Sequence, residues 1–194
     1  ESWPNINNKA ESELLSTLKA LKDAPADKAN LQILELEKQH GFRRGWVWRE
    51  LGKAPLAVAS EHLSLLAILT QRPLAAPSVE EFGELYAREG WEVDFTALKA
   101  LGSTASAEEA EAICTAVRSI YLPWLDETAR NFQSLCQGKP ASIHPKLDPI
   151  EAKDSRVILF VDGLRMDIGQ ETARKLIAGG FDVKSAWDLA PFPT

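Results

Sequence analysis

The chain has 194 residues, 45% of them hydrophobic, which excludes a disordered chain and suffices for one or two packed units. Its net charge of −6 does not indicate a general nucleic-acid binder, because affinity for phosphate comes mainly from lysine and arginine. The sequence has no apolar run of the ~18–20 residues that a membrane-spanning helix needs. Since the chain begins at Glu1 and closes on Pro-Phe-Pro-Thr, we expect it to be a piece of a longer protein.

The first two helices are predicted from apolar residues that recur at helical spacing. Asn7 or Asn8 can serve as the N-cap of the first helix. The second helix runs through the stretch 26–40, and Gly41 is its predicted C-cap. The residues that carry the helical pattern in these two segments are Leu14, Leu18, Leu21, Leu31, Leu34 and Lys38.

The following helices show start and stop signals. The most apolar stretch has Pro55 in its first turn and is predicted to be the central helix. Ser78, with a glutamate three positions on, forms a capping box that predicts another helix start. Pro123 lies inside a long helical stretch and predicts either a kink or a division into two helices. Residues 1–140 are therefore predicted to form a mainly α-helical domain.

The pattern changes near the end of the chain. Residues 138–155 hold three prolines and few apolar residues, which predicts a linker at 141–155. The stretch 156–161, Arg-Val-Ile-Leu-Phe-Val, is typical of a strand buried on both faces. A helical pattern closed by two glycines and a second short strand follow it. The order strand, helix, strand predicts that residues 156–194 are the β-α-β start of an α/β domain, incomplete because two strands do not make a stable sheet.

Asp162 follows the first predicted strand directly, at the edge where open α/β sheets bind their ligands. A buried lone carboxylate needs a cation, hydrogen-bond donors or water. Three interpretations stay open: Asp162 caps the following helix, binds a divalent metal, or contacts a nucleotide or another ligand. The glycine patterns of dinucleotide-binding and phosphate-binding loops are absent after this strand.

The stretch Val-Ile-Leu-Phe-Val-Asp-Gly-Leu-Arg-Met-Asp, residues 157–167, resembles the opening strand and loop of the PglZ domain, a branch of the alkaline phosphatase superfamily. Residues 179–194 resemble the second strand and the proline-rich loop that leads to the nucleophile of that family. The segments 46–67 and 120–135 are similar to the helical region that precedes the domain in longer PglZ proteins. The resemblance thus covers about residues 46–194.

PglZ proteins belong to the BREX anti-phage defence systems of bacteria. The resemblance therefore implies a cytoplasmic protein whose PglZ domain is a metal-dependent phosphatase or phosphodiesterase acting on a phosphate ester. It also implies partners within the system, namely its DNA methyltransferase, its ATPases and its small accessory proteins, with DNA contacted indirectly. The second functional hypothesis is a non-catalytic scaffold whose helical domain docks other defence-system proteins or DNA.

The resemblance also implies roles for single residues. Asp162 matches the first metal ligand of the family, for zinc or manganese, and Arg165 would contact a substrate phosphate unless it pairs with Asp167. Thr194 lies where the nucleophile is expected, although it could equally be the approach to that residue or a helix N-cap. Because the other ligands of the family are not expected in these residues, we predict that the chain alone is inactive and binds zinc or manganese weakly or not at all.

The stretch Gly-Phe-Arg-Arg-Gly-Trp-Val-Trp-Arg-Glu-Leu, residues 41–51, is the candidate binding surface of the helical domain. Arginine and tryptophan are enriched at protein interfaces, so Arg43, Arg44 and Trp46 are predicted to bind a partner. The same residues could hold nucleic acid through stacking and phosphate contacts. The alternative is that Trp46 and its neighbour Trp48 fill the helical core.

Overall fold

The computed structural model describes residues 3–104, 106–137 and 157–188. Within these residues the chain forms eight α-helices, two 3-10 turns (Ala20–Asp23 and Gly41–Gly45) and one π turn (Tyr86–Gly90). None of the described helices combines the length and the apolar character that crossing a membrane requires. The helices are α1 (Pro4–Lys19), α2 (Ala26–His40), α3 (Val47–Glu50), α4 (Pro55–Leu69), α5 (Val79–Leu85), α6 (Trp91–Leu101), α7 (Ala107–Cys136) and α8 (Met166–Ala178).

The chain divides into two compact units that do not follow chain order. Unit 1 comprises Glu1–Leu74 and Glu92–Arg130, and unit 2 comprises Ala75–Trp91 and Asn131–Thr194. The predicted linker at 141–155 lies outside the described residues.

The core of unit 1 forms around α4, which packs against both α1 and α2. Leu63 and Leu66 of α4 are fully buried, as expected for the most apolar helix of the chain. Leu14 and Leu18, which carry the helical pattern of α1, are also buried, as is Leu21 in the 3-10 turn that follows the helix.

Two details of the first helices differ from the predictions. The prediction of Asn7 or Asn8 as N-cap is wrong, because α1 begins at Pro4, a residue whose ring already has the helical φ angle. Leu31, one of the residues that carry the helical pattern of α2, is 69% exposed, so the pattern predicted the helix but not which of its sides is buried. The buried face of α2 instead consists of Ala29, Ile33, Leu36 and His40.

α7 continues through Pro123 from Ala107 to Cys136. Of the two alternatives, the division into separate helices is therefore excluded. Proline lacks the amide hydrogen that would bond the carbonyl four residues earlier, but the buried side chains on either side, such as Ile120 and Trp124, keep the helix packed.

In unit 2, α5 begins as the capping box predicts, because Ser78 Oγ accepts a hydrogen bond from the Glu81 amide at 3.1 Å. Two side chains of α8 contact the π turn after α5 and the first residue of α6, which follows the turn directly. Gln170 Nε2 donates to the Ala87 carbonyl at 3.3 Å, and the Arg174 guanidinium lies 4.4 Å from the centre of the Trp91 ring. The irregular turn is thus held by side chains of another helix.

α8 ends where the two glycines predicted its end. Gly180 has a φ of 87°, a left-handed conformation that glycine adopts without strain. The Gly180 amide donates to the Ile177 carbonyl at 2.9 Å and the Phe181 amide donates to the Leu176 carbonyl at 3.1 Å. These paired bonds form a Schellman motif, which satisfies the last carbonyls of the helix.

The prediction that residues 156–194 start an α/β domain with a β-α-β unit is wrong for the residues that the structure describes. No strand is present at 157–161, where Val157, Leu159 and Phe160 are 94%, 85% and 83% exposed. The second predicted strand is also absent over 181–188. β-branched composition is only a propensity, since a strand forms where a neighbour pairs with its backbone and covers its side chains, and the described part of the chain supplies no such neighbour.

Candidate functional site

Arg43 lies in the interior of unit 1, with only 1% of its surface exposed. Its Nη2 donates to Asn7 Oδ1 at 2.7 Å, to the Asn7 carbonyl at 3.2 Å and to Glu11 Oε1 at 2.7 Å. Asn7 in turn donates to the Lys53 carbonyl at 2.7 Å, and Glu11 Oε2 accepts from the Leu56 amide at 2.9 Å. Arg43 belongs to the 3-10 turn Gly41–Gly45. Its hydrogen bonds therefore join this turn to α1, and Asn7 and Glu11 continue the network to the start of α4.

Only one nitrogen of the buried Arg43 guanidinium, Nη2, has hydrogen-bond partners among the described residues. Its Nε and Nη1 atoms have no hydrogen-bond partner among the described residues. The ring of Trp46 lies 5.8 Å from the guanidinium carbon, close enough for a weak cation–π attraction. The carboxylate of Glu11 is thus the group that compensates this buried charge.

Arg44 points to a different set of partners from those of Arg43. It forms a two-pronged ion pair with Glu37, in which Nη1 donates to Oε2 at 2.8 Å, and its Nε lies 3.5 Å from Glu61 Oε2. Burial raises the pKa of Glu37, but hydrogen bonds from Arg44 and Ser60 outweigh it, so the pKa of Glu37 is below its ordinary value. Gly41 leaves the space for this pair, because a Cβ at that position would collide with the Glu37 carboxylate.

Several apolar side chains are exposed around these two arginines, next to the exposed Arg49 and Glu50. Phe42, Val47 and Leu51 are 63%, 50% and 59% exposed, and Trp46 is half-buried. The Phe42 and Trp46 rings meet edge to face, with centroids 5.4 Å apart. Val47 and Leu51 are four residues apart on one helical turn and so share a side. We call these four residues the Phe42 face.

The sequence identified part of this surface. Trp46 was predicted to bind a partner and does lie on the Phe42 face, whereas Arg43 and Arg44 are engaged inside the fold. Phe42, Val47 and Leu51 were not singled out. The available signal was their position: each is apolar within a stretch that is otherwise rich in arginine and glycine.

Asp162 is exposed in a turn whose next residue, Gly163, has a φ of 63°. It does not cap α8, because the N-cap is Arg165. Of the two interpretations of Arg165, the pairing is observed: Nε and Nη2 each donate to the Asp167 carboxylate at 3.0 Å. Asp167 is 1% exposed in the first turn of α8, where the helix dipole also favours an acid.

The implied zinc or manganese site can be tested against these positions. Within the described residues, no three histidine, cysteine, aspartate or glutamate side chains lie together as a metal-binding group. Asp162 is one exposed carboxylate, whereas a zinc site needs about three or four ligands. The described residues do not fit the metal, and we derive no chemical step through it. Thr194, the candidate nucleophile, lies outside the described residues.

The resemblance to PglZ proteins rests on the stretches 46–67, 120–135, 157–167 and 179–194. The structure describes the first three and residues 179–188 of the last; 189–194 lie outside the described residues. Comparisons of the chain with protein-family models, with curated proteins and with solved structures found no match.

Proposed function

We propose that this chain is a protein-docking scaffold and that the Phe42 face is where a partner protein binds. The observation that carries the proposal is the arrangement of residues 42–51, in which Arg43 is buried, Arg44 is paired within the fold, and Phe42, Val47 and Leu51 are exposed to solvent. Exposed aromatic and aliphatic side chains on a rigid support are typical of the centre of a protein interface, where their burial stabilises the complex.

The same arrangement favours a protein over DNA as the partner. Arg43 is buried and Arg44 is paired with Glu37 and Glu61, so these two cations do not offer their charge to phosphate groups. The chain is acidic as a whole, which repels a phosphate backbone. The apolar Phe42 face offers DNA little, since binding to a duplex depends mainly on charge.

We place the scaffold in a cytoplasmic PglZ-type protein of a bacterial BREX system, on the strength of the resemblance over about residues 46–194. The methyltransferase, the ATPases and the small accessory proteins of that system are the candidate partners. The hydrolase activity that the resemblance implies is a second proposal. The exposed position of Asp162 on a glycine turn supports it, because an ion can reach that carboxylate, but the further ligands would have to come from outside the described residues.

The test is to replace an exposed apolar side chain of the Phe42 face by an acid. We expect Phe42→Asp and Leu51→Asp each to weaken capture of a co-expressed BREX protein by at least about tenfold, because an unpaired carboxylate would be buried at the interface. Leu98→Asp is the matched control, since Leu98 is 40% exposed on α6, and it should bind as the wild type does.

Circular dichroism would establish that the variants stay folded. Equal capture by Phe42→Asp, Leu51→Asp and wild type would contradict the proposal. So would capture of duplex DNA whose affinity falls steeply with salt, because that dependence is the signature of phosphate binding.

A further inference from the structure

Unit 1 carries a groove that shares no residue with the Phe42 face. It is a solvent-open cavity of about 450 Å³ between α2, the segment that follows α4 and the middle of α7. A volume of this size can take a small ligand or two to three large side chains of a peptide. Its apolar lining consists mainly of Leu31, Leu34, Pro73, Ile120, Pro123 and Trp124.

The floor of the groove is held in place by hydrogen bonds from α7. Trp124 is 4% exposed, and its Nε1 donates to the Arg72 carbonyl at 3.0 Å. One turn further along, Thr128 Oγ1 accepts from the Leu74 amide at 3.1 Å. Both bonds fasten the segment after α4 to α7, so the floor is formed before any ligand arrives.

The wall of the groove includes Leu31, a leucine that is not buried in the core of unit 1. Leu31 is 69% exposed, although it lies on the same helix as the buried Ile33 and Leu36. Leu34, one turn further on, also lines the groove and is half-buried. Leu31 therefore extends the apolar surface beside the floor, and a ligand in the groove would bury it.

The charges at the groove have a single sign. Asp27 on α2 and Glu127 on α7 both line it, and both are exposed. The remaining polar lining residues, Asn30, Thr70 and Gln71, are uncharged, and no lysine or arginine is among the described lining residues. A ligand that complements this groove therefore has an apolar centre and positive charges on its flanks.

We propose that this groove binds a basic amphipathic peptide segment of a partner protein. Its apolar side chains pack against Leu31 and Trp124, and its lysine or arginine residues pair with Asp27 and Glu127. A helix with apolar residues on one face and basic residues beside them has this chemistry, and it is one of the recurring ways in which peptides are recognised. The proposal does not depend on the Phe42 face.

The test uses a fluorescently labelled amphipathic peptide of leucine and lysine, about 14 residues long or roughly four helical turns. We expect the wild-type chain to bind it and Leu31→Glu to bind it at least about tenfold more weakly in fluorescence anisotropy. Leu31→Glu distinguishes binding in the groove from nonspecific electrostatic attraction between the acidic chain and the basic peptide. Because it adds a negative charge to an acidic chain, unspecific attraction to a basic peptide would become stronger.

Three matched measurements complete the test. Leu98→Glu makes the same charge change on α6 and should bind as the wild type does, as should Phe42→Asp. The double variant Asp27→Asn with Glu127→Gln should bind more weakly and with a smaller salt dependence. A peptide of leucine and glutamate should not bind.

The proposal is overturned if the leucine–lysine peptide does not bind, or if Leu31→Glu binds it as tightly as wild type. It is also overturned if Leu98→Glu loses as much affinity as Leu31→Glu. If only Phe42→Asp loses binding, the peptide binds the Phe42 face. That result would overturn the proposal for the groove and would agree with the proposed docking function of the Phe42 face.

Discussion

Arg43 and Arg44 are neighbours in the sequence and hold different parts of unit 1. Arg43 contacts α1 through Asn7 and Glu11, whereas Arg44 contacts α2 through Glu37. Successive residues of a tight 3-10 turn point in different directions, so one short segment can join several helices. The turn is thereby held firmly, and the apolar residues on its outer side are presented on a rigid support.

The first prediction concerns the buried charge of Arg43. We expect Arg43→Ala to lower the free energy of unfolding by about 3 kcal/mol, because the substitution leaves Glu11 without its cation and opens a space in the interior. Arg49→Ala, at an exposed arginine of the same segment, should stay close to wild type. Urea unfolding followed by circular dichroism measures both, and a fully stable Arg43→Ala would contradict the assigned role.

The role of Arg43 could not be predicted from the residues around it. In the sequence it stands between Phe42 and Arg44 and looks as exposed as its neighbour. Its hydrogen-bond partners Asn7 and Glu11 lie 36 and 32 positions away. The local pattern therefore indicated that this stretch was important. Which of its side chains are buried and which are exposed depended on contacts with residues far away in the sequence.

At the scale of single elements, two signals that act within a few residues were confirmed, whereas the N-cap predicted at Asn7 or Asn8 was wrong. Ser78 is the N-cap of α5, and Gly180 lies in the Schellman motif that ends α8. The hydrogen bonds of both motifs form between residues that are close in the sequence. The prediction for 157–161 was wrong, because a strand depends on a partner that can lie anywhere in the chain. The same reasoning explains Leu31: periodicity found an apolar position, but the neighbouring helices decide which apolar positions are covered.

The second prediction concerns the segment 157–161, which is apolar, uncharged and exposed. Segments of this kind pair with one another between molecules, so we expect the chain to self-associate as its concentration rises. Phe160→Lys should reduce this association, because a charge in each copy opposes stacking. Phe181→Lys makes the same change at a side chain that is 64% exposed outside the segment and serves as control.

Sedimentation velocity over a range of concentrations would measure the association. We expect wild type and Phe181→Lys to give the same distribution of sedimentation coefficients. The distribution of Phe160→Lys should be shifted toward the monomer. Identical distributions for all three chains would show that the segment does not drive association.

At the scale of the whole molecule, unit 1 combines a rigid interior with two chemically different surfaces. The Phe42 face is apolar, and the groove beside Trp124 is apolar with acidic flanks. Because the surfaces differ in charge, they suit different partners, and an acidic partner would be repelled by the groove but not by the Phe42 face. If both proposed surfaces are binding sites, unit 1 would hold two proteins through one folded unit.

The last prediction concerns the pH dependence of folding, which three buried or half-buried groups set in the same direction. Burial lowers the pKa of His40, and the nearby Arg43 lowers it further, with partial opposition from Glu13. Burial also lowers the pKa of His62, where the charge of Glu61 acts in the opposite direction.

A histidine whose pKa is lowered by folding binds fewer protons in the folded state than in the unfolded chain. The free energy of unfolding is then highest above the ordinary histidine pKa of 6.5 and falls as the pH drops below that value. Glu37, whose pKa is also lowered, adds stability that persists above its ordinary value of 4.5 and disappears as the pH falls further.

We therefore expect urea unfolding to show a lower stability at about pH 5.5 than at about pH 7.5, and a further decrease below about pH 4.5. His62→Gln should reduce the first decrease and leave the second unchanged, because glutamine cannot take up the proton. Glu37→Gln should leave the first decrease unchanged and reduce the second. It should also lower the stability at neutral pH, because Arg44 would lose its ion pair with Glu37. A stability that is constant or rises between pH 7.5 and 5.5 would show that the two histidines are not held neutral by the fold.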